Sequence, residues 1–209
     1  MSLCLKIHKF LSKNTLSILL LLSIIFLKNN VSAQQTIILD YNKNHYDLQS
    51  NLTWLEDPTG QLTLQEITAN PKLYNFITSK TLLPPLKNTS STFWFKFKFS
   101  NPDQTPQEWF FQSDYYSMDI FNWYYKSTNG NYQQDKLGLK DPFSQRKIKQ
   151  RNPTIKIILP ASTDTIFYLQ IKSARTPITP QFNLFKESLI IDKSLSEHFF
   201  LVSFWGQCF

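Results

Sequence analysis

The chain has 209 residues, 15% of them Phe, Tyr or Trp, with 4 Gly against 11 Pro and a formal net charge of +7. Cys4 and Cys208 are its only cysteines, one near each end, so an internal disulfide framework and a zinc site built on clustered cysteines are both excluded. From the N-terminus, Lys6, Lys9 and Lys13 precede an apolar run from Leu16 to Leu27, and Val31-Ser32-Ala33 follows. That is the layout of a secretory signal peptide cut after Ala33. An uncleaved N-terminal anchor is the alternative, because Lys28 stands between the apolar run and the cut. The run is much shorter than the roughly 20 apolar residues that a membrane-spanning helix needs. Losing residues 1–33 removes four lysines and no acid, which takes the charge from +7 to +3. The basic balance is therefore largely a targeting feature, and an exported chain of this charge is not expected to bind nucleic acid.

Beyond the leader, residues 34–50 are weakly patterned and predict a lead-in with an edge strand over Thr36 to Leu39. Leu52 to Leu55 predicts a short strand, and Asp57-Pro58-Thr59-Gly60 has turn residues in turn order. Thr63 and Glu66 form a capping box, with Leu62 and Ile67 placed as a hydrophobic staple, so a short helix is expected, ended by Pro71. Lys72 to Ser91 is polar and loop-like. Phe93, Phe95, Phe97 and Phe99 then alternate with Trp94, Lys96 and Lys98, which predicts a half-buried strand with a phenylalanine core face.

After the turn at Asn101-Pro102-Asp103, strands are expected over Glu108 to Gln112 and Met118 to Tyr125, with a hairpin at Asn129-Gly130. Arg146 to Arg151 is a basic run that predicts a solvated loop. Thr154 to Leu159 and Thr165 to Lys172 alternate around a turn at Pro160 to Asp164, and Gln181 to Phe185 predicts a last strand. Short strands at regular spacing with one short helix predict an all-β chain folded as a jelly-roll-like β-sandwich. The tail, 187–209, ends in an apolar stretch from Phe199 to Gly206.

Candidate chemistry is sparse. No paired-histidine metal spacing, Ser-His-Asp pattern or glycine-rich phosphate loop is visible, so no metal, cofactor or catalytic residue is expected. Glu56 and Asp57 are adjacent on a strand and point to opposite faces, so they cannot flank one glycosidic bond; Asp57 reads as a turn former. Trp109, Trp123, Tyr125 and Arg146 are the candidate ligand-binding residues, because aromatic faces pack on sugar C–H groups while polar neighbours take hydroxyls. Trp123 and Tyr125 share a strand face with Asp119, a mixed composition that predicts a wet surface. The competing reading is that aromatics in a sandwich pack the core.

The ordered pieces Trp54 to Gly60, Phe93 to Phe97 ending in Asn101, Trp109-Phe110, Met118 to Phe121, Gly138, Ser144-Gln145-Arg146 and Tyr168 to Ile171 resemble one family. It is the jelly-roll extracellular domain of bacterial seven-transmembrane receptors with diverse intracellular signalling modules. The resemblance covers about Asn51 to Phe185, with the sensor domain drawn as 51–186. It departs at Lys96 and Gln170, where the family often has Arg. It implies a periplasmic sensor for a carbohydrate or other small solute, working through membrane helices and a histidine kinase or similar output module. In such receptors the first membrane helix follows where this chain stops, so the expectation is a receptor truncated before its membrane helices, with a natural soluble version or a fragment as the alternatives. A structural or adhesive envelope module and, third, a glycan-active enzyme are the alternatives.

Overall fold

The computed structural model describes residues 35–50, 52–78, 90–174 and 179–190. The predicted signal peptide and the apolar end of the tail lie outside the described residues. Two sheets face each other. The first contains β1 (Thr36–Ile38), β3 (Thr53–Asp57), β4 (Ile77–Thr78), β5 (Thr92–Asn101), β7 (Ile120–Lys126), β8 (Tyr132–Lys136) and β10 (Thr163–Lys172), in the order β4-β3-β5-β10-β7-β8. The second contains β2 (His45–Asp47), β6 (Gln107–Ser113), β9 (Thr154–Leu159) and β11 (Phe182–Phe185), in the order β2-β11-β6-β9. All pairings are antiparallel except β1 with β5. β3 pairs with Thr92 to Lys96 and β1 with Lys98 to Ser100, so two short strands share one long partner.

The period-two pattern of β5 sets the core. Phe93, Phe95, Phe97 and Phe99 face inward and are buried, opposite Ile171, Leu169, Phe167 and Thr165 of β10. From the second sheet come Trp109, Phe111, Ile155, Ile157, Phe182 and Leu184. The rings interlock across the gap: Phe97 meets Phe111 edge-on at 5.1 Å and Phe182 at 5.7 Å, and Phe111 lies 4.4 Å from Trp123. Burying each such side chain contributes about 1.5–3 kcal/mol, an upper value because unfolded chains already bury some surface.

The other face of β5 departs from the sequence reading, since Trp94 is fully buried too. The helix α1 (Leu64–Ala69) lays Leu64 and Ile67 over Trp94 and Tyr168, forming a second apolar cluster outside the first sheet. The expected capping box starts this helix: Thr63 Oγ1 accepts from the Glu66 amide and the Glu66 carboxylate accepts from the Thr63 amide at 2.8 Å. Ahead of it, Asp57 accepts hydrogen bonds from the amides of Thr59, Gly60 and Leu62 and from the Thr59 hydroxyl. Gly60 takes the positive φ, 67°, that the turn requires. Strand β4 falls inside the segment read as loop; two residues are too few to leave a period in the sequence.

One side chain ties the two sheets together. Asn101, at the end of β5, donates from Nδ2 to the carbonyls of Thr105, Leu159 and Pro160 at 2.9–3.1 Å. Its Oδ1 accepts from the Asp103 amide and from Gln107 Nε2, both at 3.0 Å.

Candidate functional site

β8 is the end strand of the first sheet and β9 the end strand of the second, and among the described residues each is paired on one side only. Between them the sandwich opens into a cleft of about 450 Å³, within the range of about 300–1,000 Å³ usual for small-ligand sites. Its lining includes five consecutive residues of β9, Thr154 to Ile158. Alternating side chains cannot all face one way, so one wall of the cleft is the open backbone edge of the strand, interrupted by Ile155 and Ile157. Trp123, Tyr125 and Phe167 form the wall on the first sheet.

The segment from β8 to β9 closes one end. The β7–β8 hairpin turns through Gly130, with φ 83°, and β8 runs on irregularly, the Leu137 amide donating to the Phe121 carbonyl at 2.8 Å. Gly138 then crosses so near the start of β7 that a Cβ there would stand 2.5 Å from the Asp119 carbonyl oxygen. A 3-10 turn, Phe143–Gln145, brings Arg146 back under the chain. Arg146 donates from Nη1 to the carbonyls of Gln150 and Arg151 at 3.0 and 3.1 Å and from Nη2 to that of Leu137 at 2.5 Å. It thus clamps the approach to β9 onto the end of β8. Burial lowers its pKa, partly opposed by Asp141; a guanidinium has far to fall before losing its proton, so the charge remains.

At the mouth, Lys147 pairs with both carboxylate oxygens of Asp135 at 2.8 and 3.0 Å and reaches over the Tyr125 ring, 5.7 Å from its centre. The hydrogen bond to Asp135 raises the lysine's pKa. Lys126, Lys136 and Lys156 also border the cleft, but strand alternation sends their side chains to the outer faces. There Lys126 sits over Tyr132 and Lys156 pairs with Glu108 at 2.8 Å.

Three of the four candidate residues, Trp123, Tyr125 and Arg146, therefore meet in this cleft. Trp109 does not. It is 0% exposed, edge-on to Tyr46 at 5.4 Å and capped by Lys186 at 4.1 Å, and offers no open ring face. The wet surface expected around Trp123 is a dry one: Phe121 and Trp123 are both fully buried, because their strand is interior to the sheet and its face meets Phe111 and Phe167. Asp119 before them and Tyr125 further along are partly open. The basic run is a loop as expected, but Arg146 is 7% exposed and not solvated. Asp135, Lys147, Ile155 and Ile157 escaped the sequence reading, since nothing local marks a strand as a sheet edge. Among the described residues no group of three or more His, Cys, Asp or Glu could hold a metal, and no helix is long and apolar enough to cross a membrane.

The family model described as 7TMR-DISM extracellular 2 matches residues 49–186. No curated protein matches. Among solved structures, the chain is similar to the enzymatically active domain of tailspike protein 4 of bacteriophage CBA120, at 10% identity and a TM-score of 0.24. That match covers 68% of this chain and 18% of the tailspike chain, and at this level it carries nothing about fold or activity.

Proposed function

Because the chain belongs to the 7TMR-DISM extracellular 2 family, an extracellular sensor domain of receptors, we propose that it binds a carbohydrate or other small solute in the cleft between β8 and β9. The single observation behind this reading is a concavity of ligand size with the partly open Tyr125 ring on it and the buried Trp123 and Arg146 in its wall. A partly open ring, apolar walls from Ile155 and Ile157, an unpaired strand edge and a charged rim supply what a polyhydroxylated solute needs: a face for its C–H groups and fixed partners for its hydroxyls. The domain would act from the periplasmic side, after export by the leader at 1–33. In a full-length receptor it would pass occupancy to membrane helices and a histidine kinase or similar output module.

A structural or adhesive sandwich needs no such concavity. Glycan hydrolysis would need two carboxylates about 5–9.5 Å apart, and the cleft lining holds one, Asp135, tied to Lys147. The test is an amide-resolved NMR titration of the full chain with glucose, galactose and N-acetylglucosamine, alone and as disaccharides. Shifts confined to Tyr125, Asp135, Lys147 and Ile155, abolished by Tyr125→Ala, are expected. Shifts centred instead on the outer face around Tyr124 and Gln170, or none with any sugar, would overturn the reading.

A further inference from the structure

The charge inside the cleft is unbalanced. Arg146 is more than nine-tenths buried in the cleft wall, yet among the described residues none of its hydrogen bonds goes to a carboxylate; its acceptors there are three main-chain carbonyls. Its Nε is buried without a partner among the described residues. A guanidinium carries five N–H donors, so the carbonyl clamp leaves the Nε–H and a share of the Nη edge unused. A clamp alone does not call for a full charge, since a neutral amide can donate to carbonyls without the desolvation cost of a buried cation.

The nearby acids do not supply the missing counter-charge. Asp135, the one carboxylate lining the cleft, is held by Lys147 on both oxygens. Asp141 influences Arg146 only through space. The segment 146–151 adds Lys149 and Arg151 with no acid among its six residues. Lys149 turns away to the Ser144 carbonyl and Arg151 lies over the Tyr116 ring at 3.8 Å. The Arg146 guanidinium lies over the Phe143 ring, 5.1 Å from its centre, which offsets part of its charge, but among the described residues it has no carboxylate partner, and an exposed lysine stands at the lip of the cleft.

We propose that the solute bound in this cleft is anionic: a sugar-sized body carrying a carboxylate or phosphate ester, its ring against Tyr125, Ile155 and Ile157 and its anion directed at Arg146 and Lys147. This rests on the cleft being the ligand site and adds the charge of what enters it. Guanidinium and carboxylate or phosphate match in geometry as well as charge, and such pairs strengthen where water is scarce. Lys147 can exchange Asp135 for the incoming anion without leaving the lip.

Pairs of probes that differ only in the anion test it on the full chain: glucose against glucuronate, and glucose against glucose 6-phosphate. At least one anionic sugar should bind about ten- to a hundredfold more tightly than glucose, the range for one hydrogen bond to a charged partner, and the tighter of the two assigns the anion. The gap should shrink with added salt, shrink in part in Lys147→Gln, shrink further in Arg146→Gln, and close only in the double variant. Should Arg146→Gln fail to fold, Lys147→Gln and the salt dependence carry the test, because Lys147 is exposed and outside the core. Equal binding of glucose and both anionic sugars, all lost in Tyr125→Ala, would overturn the anionic assignment and leave the cleft reading standing. No perturbation of cleft residues by any of the three would overturn both.

Discussion

Asn101 offers the sharpest test of how the sandwich is held shut. Its amide joins the end of β5 in one sheet to the Leu159 carbonyl at the end of β9 in the other, and satisfies the turns on either side. Asn101→Ala orphans the Leu159 carbonyl, whose bond is fully buried, at about 1–3 kcal/mol. The Thr105 and Pro160 carbonyls and the Asp103 amide are part-buried, so water replaces some of what they lose, at roughly 0.5–1 kcal/mol each. Gln107 Nε2 keeps Asp103 Oδ2 at 2.7 Å and adds nothing. The sum is about 2.5–6 kcal/mol, or roughly 5–24 °C in Tm for a domain of this size.

Asn101→Asp sharpens the test, because it turns a donor into a carboxylate facing three carbonyl oxygens. Repulsion raises the folded-state pKa of the introduced carboxyl above its unfolded value of about 3.9. Its extra penalty is therefore absent in acid, sets in as pH rises past the unfolded value, and is complete above the folded one. Urea unfolding at several pH values measures both variants. Asn101→Ala within about 1 kcal/mol of wild type, or Asn101→Asp as stable as Asn101→Ala at neutral pH, would refute the role given to this amide.

Gly138→Ala should destabilise by about 1–3 kcal/mol in urea unfolding, because the added Cβ meets main chain at Asp119 and Phe121 that has no side chain to move aside; a neutral result would mean that the crossing is looser than described. Asp57→Ala should cost about 2–4 kcal/mol by the same assay, since it frees three turn amides and the start of α1 together; retention of full stability would show that water replaces the carboxylate. Burial beneath α1 and the hydroxyl of Tyr132 push the Tyr168 pKa up from 10.0 to about 12. The unfolded chain then ionises first, so stability should be lost as pH rises from 10 towards 12, by an amount on the order of 2 kcal/mol. Tyr168→Phe should flatten that loss, and an unchanged alkaline slope in the variant would assign it elsewhere.

Much of this protein is local physics and was legible in the sequence. Alternation put four phenylalanines on one face of β5, the capping box started α1 at Leu64, and Pro and Gly marked the turn after Asp57, because each depends only on residues within a few positions of one another. Trp94 and Trp123 show where that stops. Alternation says which residues share a face, but what covers the face is decided by a distant helix in one case and by the opposite sheet in the other, so Trp94 and Trp123 are both fully buried while Lys96, Lys98 and Tyr125 on the same faces stay partly open. Arg146 sat in a run of cations that looked solvated, and only the closure of the β8–β9 segment onto the Leu137, Gln150 and Arg151 carbonyls buried it. The cleft itself could not be read along the chain at all. It exists because β8 and β9 end different sheets, and a sheet edge is a property of pairing between segments far apart in sequence.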